Sequence, residues 1–329
     1  MISSYPYLFF SFLLALSISV AFSIQGGFQD SLVYYEQFTI IKRVGLYESI
    51  SLITEHTGKL EPGMILVFFV QSFFIDSLNS FLIVNLLIIN LLLIGLYFSY
   101  NNSTNGSNRF SYLAITILLL SYYTFSNYIY IWRSIYAFYF IGIYYISINK
   151  RYGFVYLIIS CLFHFSSIAY ILIFFMVRTL NLSKLSVIGL SLLISLFIIL
   201  LLILIPETVA LLTSGNGQGI FVTLDNEVYV IIRRLVISLS LVFILLIYTP
   251  PVQLKQLYNL VLTLSILSII FVFNAQLSWR VLAPAAVLGT VLLVNTPRYK
   301  SIIYLLLVFS IIPSLRIIYL LSIGQFHAA

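Results

Sequence analysis

Charge is scarce in this chain. Lys, Arg, Asp and Glu make up 8% of its 329 residues, whereas hydrophobic residues make up 62% and the mean hydropathy is +1.12. A soluble globular domain normally carries about 25% charged residues. The composition therefore excludes an ordinary water-soluble domain and indicates an integral membrane protein.

Cysteine pairs, acidic metal-binding pairs and nucleotide-binding motifs are missing as well. Cys161 is the only cysteine and stands within an apolar run, so the chain offers no internal disulfide and no thiol–metal site. No Asp-x-Asp pair occurs, and no Walker or Rossmann glycine loop. We therefore expect no metal, no cofactor and no soluble nucleotide chemistry.

The excess of basic residues does not indicate nucleic-acid binding. The net charge is +7, but the basic residues are spread over the short polar segments that separate the apolar runs. Polytopic membrane proteins keep most of their Lys and Arg on the cytoplasmic side. The expected cytoplasmic markers are Lys150-Arg151, Lys255, Arg298 and Lys300.

Apolar runs of about 20 residues, the length that a membrane-spanning helix needs, recur along the chain. Because a lipid-exposed backbone must satisfy its own hydrogen bonds, and because the alternation of a membrane barrel is missing, these runs are predicted to be helices. The sequence thus predicts an all-α polytopic integral membrane protein, one domain over residues 1–329, with about 10–12 transmembrane helices. The predicted spans are 5–24, 63–78, 80–100, 111–130, 132–149, 154–177, 185–205, 229–249, 257–273, 281–295 and 301–321.

The longest polar interval, residues 25–61, is predicted to be an external loop with amphipathic helices. It holds five of the nine acidic residues, and Asp30, Tyr34 and Phe38 fall on one helical face. Pro62 suits the first turn of the following helix, which places Glu61 beside the positive end of that helix. Two interpretations stay open: interfacial helices with solvated acids, or part of a functional site.

A second polar loop is predicted over residues 206–228, just before Arg233 and Arg234. It is rich in glycine, and loops of this length are often functional. Either a flexible lid or a loose surface segment fits this stretch.

The order of the predicted spans places an external loop and a cytoplasmic marker on the same side of the membrane. If every span crosses the membrane, the loop 25–61 lies on the same side as Lys150-Arg151. One of the spans 63–78 and 154–177 must then be re-entrant or split, and the stretch SCLFHFSS at 160–167 is the expected break.

Ionisable side chains stand inside or at the edge of several apolar runs. An arginine at the centre of a bilayer costs roughly 2.5–3.5 kcal/mol on insertion scales, so each one needs a reason. Arg316 lies near the end of the last span, from which its side chain can reach the membrane surface. Arg133 and Arg280 each stand at the start of a span, after a stretch with aromatic and polar residues. His164 is either a neutral histidine bonded to a neighbouring helix or a group that transfers a proton.

The order of these motifs over residues 25–175 resembles the EpsG-like group of bacterial polysaccharide polymerases, which includes O-antigen and capsule polymerases of the Wzy type. The motifs that carry the resemblance are Asp30 followed by Tyr34, Glu61-Pro62, Arg133 with Ala137, and His164 with Ser166. The second half is similar only in having further helices, a polar loop and a late arginine, for which Arg280 is the candidate. Serine stands in RSIYA where that group often has glutamine.

The resemblance implies an inner-membrane glycosyltransferase of the GT-C kind. It would join undecaprenyl-pyrophosphate-linked oligosaccharides, as donor and acceptor, at the outer face, with membrane lipid around it and a chain-length regulator protein as a further partner. Arg133 would bind the donor pyrophosphate, and the base would be His164, Asp30 or Glu61. The implied substrate-binding residues are Tyr34, Arg233, Arg234 and Arg280.

Other functions stay open beside this one. A flippase for the same lipid-linked oligosaccharides also needs basic residues, but inverted repeats are expected in such a transporter and the sequence shows none. An O-antigen ligase uses the same donor but is expected to carry a large late loop. A structural or assembly subunit would leave the arginines within apolar runs unexplained.

Overall fold

The computed structural model of the chain describes residues 5–24, 26, 29–57, 61–103, 111–125, 131–146, 150–164, 167–179, 186–194, 196, 228–272, 275–294, 307–308 and 310–322. All regular secondary structure in these ranges is helical, which confirms the predicted all-α class. The main helices are α1 (Tyr5–Ser23), α2 (Gln29–Thr57), α3 (Pro62–Gln71), α4 (Leu78–Ser103), α5 (Tyr112–Leu120), α6 (Trp132–Ile146), α7 (Lys150–Phe163), α8 (Ser167–Thr179), α9 (Val228–Ile247), α10 (Lys255–Ile270), α11 (Ala275–Val294) and α12 (Ile311–Ser322).

Two of the described helices, α1 and α4, are long and apolar enough to cross a membrane. Core helices of soluble proteins and signal sequences can share this length and composition, so the multi-pass arrangement remains a prediction. The predicted loop 206–228 lies outside the described residues except for its last residue, Val228.

Three predicted spans are interrupted. The span 63–78 is a helix of 10 residues that ends at Gln71, where a turn leads into α4; at 1.5 Å per residue it covers about 15 Å, half of a hydrocarbon core. The span 111–130 ends as a helix at Leu120, because Ser121 is extended. The span 154–177 is broken between α7 and α8, at the predicted position.

The contacts divide the chain, which was expected to be a single domain, into two compact units. The first comprises residues 1–52, 61–167 and 290–329, and the second comprises residues 53–60 and 168–289. In the first unit, α4 packs against α1, α5 and α6, while α7 packs against α6 and α3. In the second, α9 packs against α10.

An aromatic core joins α2, α3, α4 and α6 in the first unit. Phe81 lies at its centre, with ring centroids 4.9 Å from Phe38, 5.4 Å from Phe68 and 5.8 Å from Trp132. All four side chains are at most 1% exposed. Each such ring pair adds about 0.5–1.5 kcal/mol beyond the burial of its area. This cluster therefore holds α3, through Phe68, and the start of α6, through Trp132, close to α2.

Polar contacts hold the far end of α3. The buried amides of Gln71 and Asn85 exchange two hydrogen bonds of 3.1 Å between α3 and α4. Lys42 of α2 donates to the Ile75 carbonyl at 2.7 Å and pairs with Asp76 at 2.5 Å in the turn after α3. These contacts, together with Phe68 in the aromatic core, anchor the second half of α3 against α2 and α4.

Helix α2 contains the face that the sequence predicted. Tyr34 and Phe38 are buried, at 3% and 1% exposure, while Asp30 is exposed at the start of the helix. The helix is kinked at Gly45, whose backbone has φ 78° and ψ −178°. The kink separates the part that carries Tyr34 from the second amphipathic part.

The second unit contains a buried chain of serines. Ser268 donates to Ser238 between α10 and α9 at 2.9 Å, and Ser278 of α11 donates to the Ser268 carbonyl at 2.9 Å. Tyr170 of α8 donates to the Arg280 carbonyl at 2.6 Å. These bonds tie the helices of this unit together through polar groups.

Candidate functional site

Glu61 occupies the residue before the first turn of α3, as the Glu61-Pro62 motif predicted. Pro62 begins the helix, where its missing N–H costs no hydrogen bond. The Glu61 carbonyl accepts from the Met64 N–H at 3.2 Å, whereas its side chain caps no backbone group of the helix. The carboxylate is buried, at 6% exposure. Because it caps no backbone group of its own helix, it is available to partners from other helices.

Arg133 lies in the first turn of α6 and is the first partner of this carboxylate. Its Nη1 donates to Glu61 Oε2 in an ion pair. Its Nε donates to Tyr34 Oη at 3.2 Å, and its Cζ lies 5.4 Å from the centroid of the Tyr34 ring. The Arg133 side chain keeps 24% of its surface exposed, so the guanidinium is both anchored and accessible.

Tyr34 orients this guanidinium. The Tyr34 ring stacks on Trp132 with centroids 5.1 Å apart and planes inclined by 22°, and it also contacts Phe68. Because the ring is held by these neighbours, its hydroxyl is a fixed acceptor for the Arg133 Nε. The sequence predicted Tyr34 as a substrate-binding residue; in the structure it contacts Arg133.

His164 lies in the break between α7 and α8 and is the second partner of Glu61. Its backbone N–H donates to the Ser160 carbonyl at 3.0 Å, and its own carbonyl accepts from the Ser167 N–H at 2.9 Å. Its Nδ1 lies 3.0 Å from Glu61 Oε1, and the side chain is 15% exposed. The bend thus carries the imidazole to the start of α3.

Electrostatics makes Glu61 a stable carboxylate. Burial acts to raise the pKa of Glu61, but the hydrogen bond with His164 and the charge of Arg133 outweigh it, so this pKa lies below its ordinary value. Asp30 differs: although its side chain is exposed, the surrounding protein desolvates it and raises its pKa, against the opposing charge of Arg133. Glu61 is thus a weaker base than an ordinary glutamate, and Asp30 is a stronger one.

Four residues predicted from the sequence, Tyr34, Glu61, Arg133 and His164, come together in the first unit through these contacts. Asp30 belongs to the same unit and lies close enough to Arg133 for that charge to oppose the rise of its pKa. Ala137, one turn beyond Arg133, is fully buried. Arg234 and Arg280 belong to the second unit, so their participation remains a prediction. The side chain of Arg233, and Ser166 altogether, lie outside the described residues.

Trp132 belongs to the site but was not among the predicted residues. It precedes Arg133 in the stretch YIYIWR, and it supports the Tyr34 ring that holds the guanidinium. Its position beside an arginine in an apolar run could have marked Trp132 as a site residue. The chain contains 25 Tyr and 28 Phe, however, so aromatic neighbours alone single out no residue.

The arrangement is a buried carboxylate held between a permanent cation and an imidazole. Such a cluster can bind an anion through the accessible part of the guanidinium, and it can orient the imidazole for proton transfer. Within the described part of the chain, no three His, Cys, Asp or Glu side chains are grouped so that they could hold a metal ion.

Comparison with known proteins finds no relative of the chain. No protein-family model matches the chain, and no curated protein or solved structure is significantly similar to it.

Proposed function

We propose that the chain is a multi-pass membrane glycosyltransferase whose site contains Glu61, Arg133 and His164. More narrowly, it is an O-antigen or capsular polysaccharide polymerase of the bacterial inner membrane. It transfers a growing glycan from undecaprenyl pyrophosphate to a new lipid-linked repeat unit at the outer face.

One observation carries this proposal. The positions that resemble the polymerase pattern are spread over residues 30–164, and the side chains at Tyr34, Glu61, Arg133 and His164 nevertheless form one hydrogen-bonded cluster. Residues that serve packing alone would have no reason to meet through their polar atoms. A cluster of opposite charges within apolar helices also needs a functional reason, because desolvation makes it costly.

Arg133 is assigned to the donor pyrophosphate. Tyr34 and Glu61 engage its Nε and Nη1, and among the described residues none bonds to Nη2. Phosphate oxygens match the remaining donors of a guanidinium held in this way. As the bond between the anomeric carbon and the phosphate oxygen breaks, Arg133 stabilises the charge that develops on the leaving pyrophosphate.

His164 is assigned as the base. The acceptor hydroxyl oxygen forms a bond to the anomeric carbon, and its proton passes to the imidazole of His164, which Glu61 holds through Nδ1. Glu61 itself is a poor base, since both of its oxygens are engaged and its pKa is lowered. Its role is to orient His164 and Arg133, as a carboxylate does when it fixes a catalytic imidazole.

The test is complementation of a bacterial strain that lacks its own polymerase and makes the matching repeat unit. The strain receives the wild type, Arg133→Ala or Arg316→Ala, and polymer length is read from glycan ladders with membrane abundance checked by immunoblot. Arg316 is a matched control, because it is an exposed arginine of α12. We expect long chains from the wild type and from Arg316→Ala, and single repeat units from Arg133→Ala.

Three outcomes would contradict the proposal. If Arg133→Ala still makes long chains, Arg133 is not part of the polymerising site. If the wild type makes no polymer while single repeat units accumulate at the outer face, the chain is not the polymerase. Repeat units that stay at the inner face without the chain, and reach the outer face with it, would indicate a flippase.

A further inference from the structure

Three buried polar groups beside the charged cluster have no hydrogen-bond partner among the residues that the structure describes. They are the indole Nε1 of Trp132, the hydroxyl of Tyr136 and the hydroxyl of Ser167. Their residues are 1%, 5% and 0% exposed. Buried polar groups in folded proteins are nearly always paired, so an unpaired group within a functional site points to a ligand.

Each of these groups adjoins a member of the cluster. Trp132 stacks on Tyr34, which binds Arg133. Tyr136 follows Arg133 by one turn of α6. Ser167 is the first residue of α8, and its backbone N–H binds the His164 carbonyl at 2.9 Å.

The aromatic rings of this group already pack their faces on neighbouring rings. The Tyr136 ring lies flat against Phe163, with centroids 4.9 Å apart and planes inclined by 7°. Trp132 uses one face for Tyr34 in the same manner, at 5.1 Å. These packed faces favour hydrogen bonding by the indole N–H and the phenol over stacking on a sugar ring.

We propose that Trp132, Tyr136 and Ser167 form a subsite for the hydroxyl groups of the sugar that is bonded to the donor pyrophosphate. The assignment rests on the proposed function, which puts that pyrophosphate at Arg133. An indole N–H only donates, whereas the hydroxyls of serine and tyrosine both donate and accept. Sugar hydroxyls can satisfy all three groups, and a site built in this way discriminates among sugars by the groups that it leaves unpaired.

The test compares two probes on the purified full-length protein in lipid nanodiscs. One is undecaprenyl pyrophosphate that carries a single repeat unit, and the other is undecaprenyl pyrophosphate without a glycan. Trp132→Phe, Tyr136→Phe and Ser167→Ala each remove one polar group and keep most of the side chain's shape. Tyr139→Phe is the control on the same helix, because Tyr139 is half-buried and lies beside Gly95 of α4.

We expect each of the three variants to bind the glycan-bearing probe about five- to tenfold more weakly, the factor that one hydrogen bond contributes. The affinity of Tyr136→Phe and Ser167→Ala for the bare carrier should equal that of the wild type, whereas Arg133→Ala should weaken both probes. The unfolding temperature without probe should stay equal or rise in Tyr136→Phe and Ser167→Ala, since each removes only an unpaired buried hydroxyl, whereas Trp132→Phe also removes buried ring volume and should lower it.

The inference is overturned if all three variants bind the glycan-bearing probe as the wild type does. It is also overturned if the unfolding temperatures of Tyr136→Phe and Ser167→Ala fall without probe, because the removed hydroxyls would then be structural. If the wild type binds neither probe, or binds both without dependence on Arg133, the proposed function fails and the subsite fails with it.

Discussion

Gly63 of α3 packs so closely against Phe163 of α7 that a side chain at position 63 would force its neighbours to move. A Cβ on Gly63 would stand 3.0 Å from Phe163 Cγ and 3.1 Å from the carbonyl carbon and oxygen of Leu162. Glu61 precedes Gly63 by two residues, and His164 follows Phe163. This close approach of two helix ends is what brings the carboxylate to the imidazole.

Gly63→Ala should therefore separate Glu61 from His164. The backbone of Leu162 cannot move aside as the end of a flexible side chain could, so we expect the variant to be less stable by about 1–3 kcal/mol. Polymer formation should fall with it. Unfolding in detergent and the glycan ladder measure the two effects.

Gly189→Ala provides the control for Gly63→Ala. Gly189 is an exposed residue in the helical segment 186–194, and a Cβ there would meet nothing within 4 Å. Alanine favours a helix over glycine by about 0.5–1 kcal/mol, so this variant should be equally or more stable. Equal stability of Gly63→Ala and Gly189→Ala would contradict the close packing of α3 on α7.

Gly45→Ala should destabilise the protein for a different reason. A Cβ on Gly45 would meet nothing within 4 Å, but the backbone has φ 78° and ψ −178°. Only glycine adopts this region readily, and a residue forced into it costs about 1–3 kcal/mol. We expect a fall in unfolding temperature in detergent that no second substitution of neighbouring side chains restores. An unchanged temperature would show that α2 can straighten at this point without loss.

Sequence reasoning could predict the all-α class and the local position of Glu61, because both follow from short-range rules. Scarce charge and long apolar runs require helices, and Glu61-Pro62 marks the start of one. The sequence also indicated the break at His164, since Ser166 and Ser167 follow it and allow a helix to break. These features depend on residues within a few positions of each other.

The contacts of the site could not be predicted in the same manner. Glu61 and Arg133 are 72 residues apart in the chain, and Glu61 and His164 are 103 apart. A helix that is apolar on every side gives no periodic sign of which face packs inward. Gly63 likewise resembles any glycine in a first helical turn until Phe163 is placed against it.

The acid stability of the protein should depend on Glu61. Its pKa lies below the ordinary value of 4.5, so the folded state holds fewer protons on this group than the unfolded state near that pH. Its contribution is therefore complete above this ordinary value and is lost as the pH falls through the lower, folded pKa. Unfolding temperatures from about pH 3 to about pH 7 should fall less steeply with acid in Glu61→Gln than in the wild type.

Asp30→Asn is the control for this pH dependence, because the pKa of Asp30 is raised rather than lowered. Protonation of Asp30 favours the folded state. The stability of Asp30→Asn should therefore fall with acid as steeply as that of the wild type, or more steeply. A flatter curve in Asp30→Asn, with an unchanged curve in Glu61→Gln, would contradict the assignment of the buried carboxylate to Glu61.

Arg133→Lys should abolish efficient polymerisation although it keeps the positive charge. The guanidinium reaches Tyr34 through Nε and Glu61 through Nη1 at once, which the single nitrogen of lysine cannot do. Losing one preorganised donor typically lowers kcat by about 100- to 1,000-fold, so the glycan ladder should shrink to one or two repeat units. Arg316→Lys, at an exposed position of α12, should leave the ladder unchanged at equal membrane abundance. A full ladder from Arg133→Lys would mean that charge alone suffices at this position and that the fixed geometry of the guanidinium has no part in the reaction.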